Sequence, residues 1–589
     1  MMRVFALLVL VSLFCLAQGF HTFLKSPKLH QQAKKRGNSP PACPLPVHNP
    51  ALDSTNLPLI VTETLNLVNK TVQSILKENN CTAAAYVTIL SGGETIFSQG
   101  YNYISSSDLT PPTDQTLFRI GSVSKVFATL ELLHQYEKGN VLMDVDVSQY
   151  APEFVVAKPA NEPNAKVTFN SIASQISGLA RECPCFFYGC NLNNTQIFDR
   201  YHGTPLLWLP ERLPSYSNFG FALIGNILGG MYPLNETDNL FPNCKEHGGT
   251  ETCQFLNGVH QDILIPLGMD STGFFYNVDV AGEVAQGYNG NNPLPDKVAW
   301  GSLGWLSPAG AMFSSHSDLA KLMSYILTHL GHEAPDSAPL SSSALREWMS
   351  PHFINKDGVT GFGRPWEMFY VETESLPGIG FWANTKDGDV TGYSANLALV
   401  QDLNLGIMVT VAAEPPVNIS PEIASFITAK MVDTLANYYY SQQQLPLLPT
   451  NYTDYTGKYV IDPVKVSTEQ LFMFQLLFGE KITHEHLPSL KISYENGHSL
   501  HFDFEAGDDT LEMSIMRSNV IVGDEDYWQL LVPSTTFESN FFPFYISDCP
   551  TMEAGYEGVH IVFEIKQNEV VSVGIPTEFY GVSFRKIKI

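Results

Sequence analysis

Apolar positions recur at helical spacing over residues 60–78, and that spacing predicts an amphipathic helix. AAAYVTIL, SGGE and TIFSQGYNYI follow and read as a β-hairpin turning at Gly92-Gly93. A second helix is predicted from Ser122 through KVFATLELLHQYEKGN, apolar at 126, 127, 130 and 133 and stopped at Gly139. Between about 140 and 330, helical segments such as FGFALIGNILGGMY and DLAKLMSYILTHL alternate with long loops. Strand-like runs return near 362–370, 378–384 and 391–399, then over Leu405 to Ala413, before a long helix at 420–440. Strands at both ends with helices between predict an α+β domain over 59–440, its antiparallel sheet assembled from distant segments.

The pattern changes twice outside that region. SQQQLPLLPT at 441–450 is a linker, and over 451–589 segments such as YTGKYVI, LKISYENGHSLHFDF and GVHIVFEIKQNEVVSVGI alternate with turn residues. They predict a C-terminal all-β domain of sandwich or barrel type. Residues 20–58 are rich in Pro, Lys and His without periodicity, as in a flexible linker or pro-segment. Lys34-Lys35-Arg36 within it reads either as a processing site or as a solvated basic stretch. At 1–19, one Arg precedes an apolar run from Val4 to Leu16 and then the small residues Ala17 and Gly19. This is the pattern of a signal peptide, so a secreted, extracellular protein is expected. No later stretch has eighteen uninterrupted apolar residues, so no stable membrane span is expected.

Composition narrows the partners. The chain has 589 residues, a hydrophobic share of 44% and a formal net charge of −26, which disfavours nucleic acid and anionic membranes. Cys15 falls in the leader, and Cys43, Cys81, Cys183, Cys185, Cys190, Cys244, Cys253 and Cys549 are even in number, as disulfide pairing requires. Cys183-Pro-Cys185 with Cys190 lacks a fourth ligand at zinc-ribbon spacing, and His484-Glu485-His486 reads as an exposed polar edge. No metal or cofactor is therefore expected. N-x-[ST] sequons at Asn69, Asn80, Asn193, Asn235, Asn418 and Asn451 suit a glycosylated surface.

The candidate chemistry starts at FRIGSVSKVF, residues 118–127. On a helix, Ser122 and Lys125 share a face, and a desolvated lysine can accept the proton of a neighbouring hydroxyl. Spacing alone is cheap: Ser74/Lys77 and Ser583/Lys586 repeat it, and Tyr494/Asn496 repeats the Y-x-N of Tyr216 and Asn218. In PSYSNFGF, Tyr216 could share the proton with the lysine and Asn218 could bind a substrate carbonyl. In FWANTKDGDVTGYSANLALV, Lys386-Asp387-Gly388 is expected at a strand start, where the cation would depress the pKa of Lys125. There is no G-x-S-x-G, no G-x-x-x-x-G-K-[ST] and no H-E-x-x-H.

GSVSKVF, YSN and KDG, in that order, resemble the serine β-lactamase and penicillin-binding-protein family, particularly its class C branch and related esterases. FRIGSVSK, LPSYSNFGFALIG and LSPAGAMFSSHSDLAKLM look like that family's connecting segments, and the likeness covers about 60–435. The resemblance implies a β-lactamase/transpeptidase-like fold. It makes Ser122 the acylated nucleophile, Lys125 its base and Tyr216 the partner in proton transfer. Asn218 would orient the substrate and Lys386 would support the pocket electrostatics. The backbone N–H groups of Ser122 and Asp389, beside Gly388, would form an oxyanion hole. Asp387 and Asp389 depart from the family's third motif; if they faced the pocket they would repel a substrate carboxylate. The expected reaction is hydrolysis of a neutral or cationic ester or amide, with a small-molecule or peptide substrate. A catalytically inactive binding or structural protein, and a true β-lactamase or D-peptidase, are the alternatives.

Overall fold

A computed structural model describes residues 51–587, apart from interior stretches of which the longest are 233–243, 275–283, 472–481 and 532–559. The expected signal peptide, the basic stretch at 34–36, Cys43, Cys549, Asn235, Asn418 and His484 lie outside the described residues. The chain gathers into two compact units, one spanning His48–Tyr440 and the other containing Ser441–Ile589.

The first unit is built on one antiparallel sheet. Helix α1 (Leu59–Glu78) precedes the hairpin β1 (Ala85–Ser91) and β2 (Glu94–Tyr101). The chain then leaves the sheet for a helical region holding α2 (Ser124–Glu137), α3 (Asn218–Met231) and α4 (His316–His329). It returns through β3 (Phe353–Ile354), β4 (Thr360–Phe362), β5 (Glu367–Glu372), β6 (Gly380–Val390), β7 (Tyr393–Val400) and β8 (Leu405–Val411). Helix α5 (Ile419–Gln442) follows. The strand order is β3-β4-β5-β6-β7-β8-β1-β2, closed in register by Ala85 opposite Val411 and Ser91 opposite Leu405. This is the α+β architecture that the hydrophobic pattern implies, with the first and last strands paired inside the sheet, one strand from its β2 edge.

Both faces of this part of the sheet are covered, which is why β1, β7 and β8 are buried along their whole lengths. On one face Ala85, Val87, Ile89, Ile407 and Val409 pack with Val61, Leu65, Val68 and Val72 of α1 and Ile423, Ile427 and Met431 of α5. On the other, Leu90, Leu397, Leu399 and Met408 join a cluster with α2, α3 and α4. A short antiparallel strand pair, Leu117–Arg119 with Met312–Ser315, precedes the turn that leads into α2.

One expectation needs correction. Lys386-Asp387-Gly388 is not at a strand start but in the last half of β6. Its charges interrupt the apolar alternation, while pairing with β7 (Asp387 opposite Asn396, Gly388 opposite Ala395) carries the strand through to Val390. Among the described cysteines the expected disulfides form in part. Cys185 is bonded to Cys190 and Cys253 is also in a disulfide, whereas Cys81 and buried Cys183 are free. The sulfurs of Cys183, Cys185 and Cys190 lie within 4.8 Å of one another, and bonding two of them leaves the third without a mate.

The second unit is a closed eight-stranded barrel, β9 (Gly457–Ile461), β10 (Ser489–Tyr494), β11 (Ser499–Ala506), β12 (Asp509–Val522), β13 (Glu525–Leu531), β14 (His560–Lys566), β15 (Glu569–Ile575) and β16 (Val582–Lys586). Closure removes the sheet edges, and Tyr459, Leu490, Ile492, Trp528, Phe563, Val573 and Phe584 make its core. No helix among the described residues is long and apolar enough to cross a membrane.

Candidate active site

Ser122 is held by a turn that only glycine can make. Gly121 has φ +49°, and a Cβ there would sit 2.8 Å from the Asp389 backbone N. Conversely, a Cβ on Gly388 would lie 2.1 Å from Ile120 O and 3.0 Å from Ser122 N. The start of α2 and the end of β6 therefore cross in backbone contact, bringing the amides of Ser122 and Asp389 into one neighbourhood. Ser122 sits in a short 3₁₀ turn (Gly121–Val123), and Lys125 is the second residue of α2.

Lys125 has no exposed surface. Its Nζ donates to Ser122 Oγ at 2.8 Å, to Asn218 Oδ1 at 2.9 Å and to Ala309 O at 2.7 Å. Burial lowers its pKa, and Lys386 works in the same direction, against the pull of Tyr216. Tyr216 OH donates to Ser122 Oγ at 2.6 Å. Burial would raise the Tyr216 pKa, but Lys125 and Lys386 outweigh it and the phenol is shifted downward. Three cations surround that ring, with Lys125 Nζ, Lys386 Nζ and the Arg181 guanidinium at 4.9, 5.2 and 4.8 Å from its centroid. A serine hydroxyl is thus touched by two groups whose proton affinities both lie below their ordinary values. Lys125 and Tyr216 form one coupled unit that can take the Ser122 proton.

Local capping fixes Tyr216 and Asn218. Ser217 is the N-cap of α3: its Oγ accepts from Gly220 N at 2.9 Å and donates to Ala180 O at 2.6 Å. Asn218 N donates to Arg181 O at 2.8 Å, which ties the 180–182 loop to the start of the helix. The Asn218 amide has a role absent from the sequence reading. Its Oδ1 accepts from Lys125, and its Nδ2 donates to Glu182 Oε1 and Oε2 at 3.0 and 3.2 Å.

On β6, Lys386 is buried and its Nζ donates to Glu367 Oε1 at 2.6 Å and to Asp387 O at 2.8 Å. Burial depresses the Lys386 pKa, but Tyr216 and Glu367 more than restore it, so this lysine stays charged. Asp387 N donates to Glu367 Oε2 at 3.2 Å. The Asp387 carboxylate receives the Asn396 amide from β7, and burial with Glu367 nearby raises its pKa to about 6. Asp389 is exposed. The acidic group on Lys386 is therefore Glu367, on the neighbouring strand, and not Asp387 beside it in sequence. Glu367, Glu182, Arg181 and Ala309 were missed by sequence reasoning. Each reaches the site through strand register or the docking of a distant segment, for which a single sequence has no local signal.

The other sequence candidates lie elsewhere. Ser74 and Lys77 are exposed on α1, Tyr494 is exposed on β10, and Lys586 donates to Asp454 O. Among the sequons, Asn80, Asn193 and Asn451 are exposed, whereas Asn69 is half-buried and accepts from Tyr101 OH at 3.0 Å.

Comparison with known proteins adds the family. The Beta-lactamase family model matches residues 68–427. Beta-lactamase-like protein 4 of Dictyostelium discoideum is 30% identical over 376 residues, covering 62% of this chain and 62% of that protein. A human beta-lactamase-like 1 protein (Homo sapiens) is 29% identical over 314 residues, 52% of this chain and 56% of that one. The chain thus spans under two thirds of the length of these relatives. Among solved structures, a class C beta lactamase from Rhodobacter sphaeroides aligns with a TM-score of 0.48 at 19% identity, over 64% of this chain and 99% of that one.

Proposed function

Because the chain belongs to the Beta-lactamase family, we propose that it is a serine hydrolase that works through an acyl-enzyme on Ser122, with a neutral or cationic ester or amide as substrate. The observation that carries this reading is the convergence of Lys125 Nζ and Tyr216 OH on Ser122 Oγ, at 2.8 and 2.6 Å. With one of the two in its basic form, the Ser122 proton leaves as Oγ attacks the substrate carbonyl. The negative charge that develops on the carbonyl oxygen is stabilised by the N–H groups of Ser122 and Asp389, each such donor contributing about 10²–10³-fold in rate. The proton held by Lys125 and Tyr216 goes to the leaving alcohol or amine. The same pair then takes a proton from the water that attacks the ester on Ser122 and returns it to Ser122 Oγ as the C–Oγ bond breaks and the acid leaves. Asn218 holds Lys125 in place, and Lys386 keeps Tyr216 acidic. The expected export in the mature form, through a cleaved leader and with sequon glycosylation, is part of this proposal.

A fluorophosphonate probe tests the reading directly. Adduct mapping is expected to find Ser122, and Ser122→Ala is expected to abolish labelling and ester turnover together. Labelling at a different serine, or none on the parent protein, would remove the assignment.

A further inference from the structure

Strand β5 stops pairing at Glu367, opposite Thr385, so beyond that point the edge of β6 facing β5 has no backbone partner from it. The amides of alternate residues in a strand point to the same edge. Asp387 N and Asp389 N therefore share this open edge, which runs past Ser122. An open edge beside a buried ammonium is a natural berth for a substrate carboxylate: Lys386 supplies the charge and Asp387 N a backbone donor. In this protein a carboxylate already occupies it. Glu367 Oε1 accepts from Lys386 Nζ at 2.6 Å, and Oε2 accepts from Asp387 N at 3.2 Å. Both oxygens are used, the lysine side chain is only 1% exposed, and Lys386 Nζ also donates to Asp387 O at 2.8 Å.

We propose that Glu367 is a specificity-determining residue: its carboxylate fills the anion berth formed by Lys386 and the Asp387 amide, so the site excludes acyl groups that carry a carboxylate. This rests on the hydrolase reading for its kinetic consequence, and on the geometry of β5 and β6 alone for the berth. It replaces Asp387 as the source of discrimination against anions. The Asp387 carboxylate is engaged by Asn396, whereas Glu367 takes the donors that an incoming anion would need.

The test compares two aryl esters, 4-nitrophenyl phenylacetate and its 4-carboxyphenylacetate counterpart, on the parent protein and Glu367→Gln. The ratio of kcat/KM for the anionic over the neutral ester is expected to rise about tenfold or more in the variant, through KM, as a charged hydrogen-bonding partner becomes free. An unchanged ratio overturns the proposal. Adding Lys386→Met to Glu367→Gln is expected to abolish the gain; a gain that persists without the lysine also overturns it. A second arm needs no catalysis. Calorimetry with benzoate is expected to show about tenfold tighter binding to Ser122→Ala/Glu367→Gln than to Ser122→Ala, and equal binding overturns the berth. If Ser122 is not labelled by the fluorophosphonate and neither ester is turned over, the hydrolase reading falls, and the benzoate arm still decides on Glu367. Should the Gln variant be recovered unfolded, Glu367→Asp takes its place. Withdrawing the carboxylate by one methylene is expected to give the same change, smaller in size, and no change overturns the proposal.

Discussion

Gly121 and Gly388 cross so closely that a Cβ on the first would lie 2.8 Å from Asp389 N, and one on the second 2.1 Å from Ile120 O. Sequence separates these glycines widely, yet their contact sets the distance between the Ser122 turn and the strand that borders it.

Gly388→Ala is therefore expected to damage both stability and activity. The methyl group meets backbone rather than a flexible side chain, and overpacking of this kind costs about 1–3 kcal/mol. Displacing Asp389 N from an oxyanion position is expected to lower kcat about 10²–10³-fold. Urea denaturation and ester kinetics measure the two effects separately; full activity in a folded variant would rule out the oxyanion role of this strand.

Tyr216→Phe keeps the ring between its cations and removes the hydroxyl that touches Ser122. Loss of a positioned proton-transfer group is expected to reduce kcat/KM about 10²–10⁴-fold. In the parent protein the rate is expected to climb with pH at lower values than an ordinary lysine or tyrosine would give, since burial beside Lys386 displaces the Lys125 pKa downward and the two lysines displace that of Tyr216 downward. Tyr216 raises the Lys125 pKa, so without it the remaining ascending limb is expected to move to lower pH. A pH–rate profile of the two proteins checks the direction.

Asp387 supplies a test of the electrostatics by stability. Its pKa is raised from 3.8 to about 6, first by burial and then by Glu367. Between those values the folded state holds a proton that the unfolded state has lost, so its contribution is present below the unfolded pKa and lost as pH rises through about 6. Asp387→Asn removes that loss and is expected to be more stable than the parent at pH 7 by roughly 1–3 kcal/mol. The difference should shrink as pH falls toward the unfolded carboxylate value. Chemical denaturation across this range measures it, and a variant equally stable to the parent throughout would refute the burial argument.

In the barrel, Trp528 is fully buried and packs 5.1 Å from Tyr455 and 5.4 Å from Phe563, centroid to centroid. Trp528→Ala is expected to cost about 3–5 kcal/mol in the unfolding of this unit. Tryptophan-independent circular dichroism during thermal melting reads the change, and fluorophosphonate labelling of Ser122 reports whether the first unit is still folded.

The amino-acid sequence by itself determined what depends on near neighbours. Helix α1, the β1–β2 hairpin, the start of α2 and the S-x-x-K pair all follow from residues a few positions apart, where periodicity and turn chemistry act. Order along the chain also separated the Ser122 pair from its decoys, since Ser74/Lys77 proved to be a solvated helix face. Only the tertiary structure decided which groups surround those residues. The lysine in FRIGSVSKVF is buried because Ala309 O, Asn218 and Ser122 all receive it. Glu367 meets Lys386 because β5 and β6 pair with Glu367 opposite Thr385, and Glu182 meets Asn218 because a loop docks on the N-terminus of α3. Register and docking are set by the burial of whole faces summed over many residues. The charge that a pocket presents is therefore decided by partners that no local motif contains.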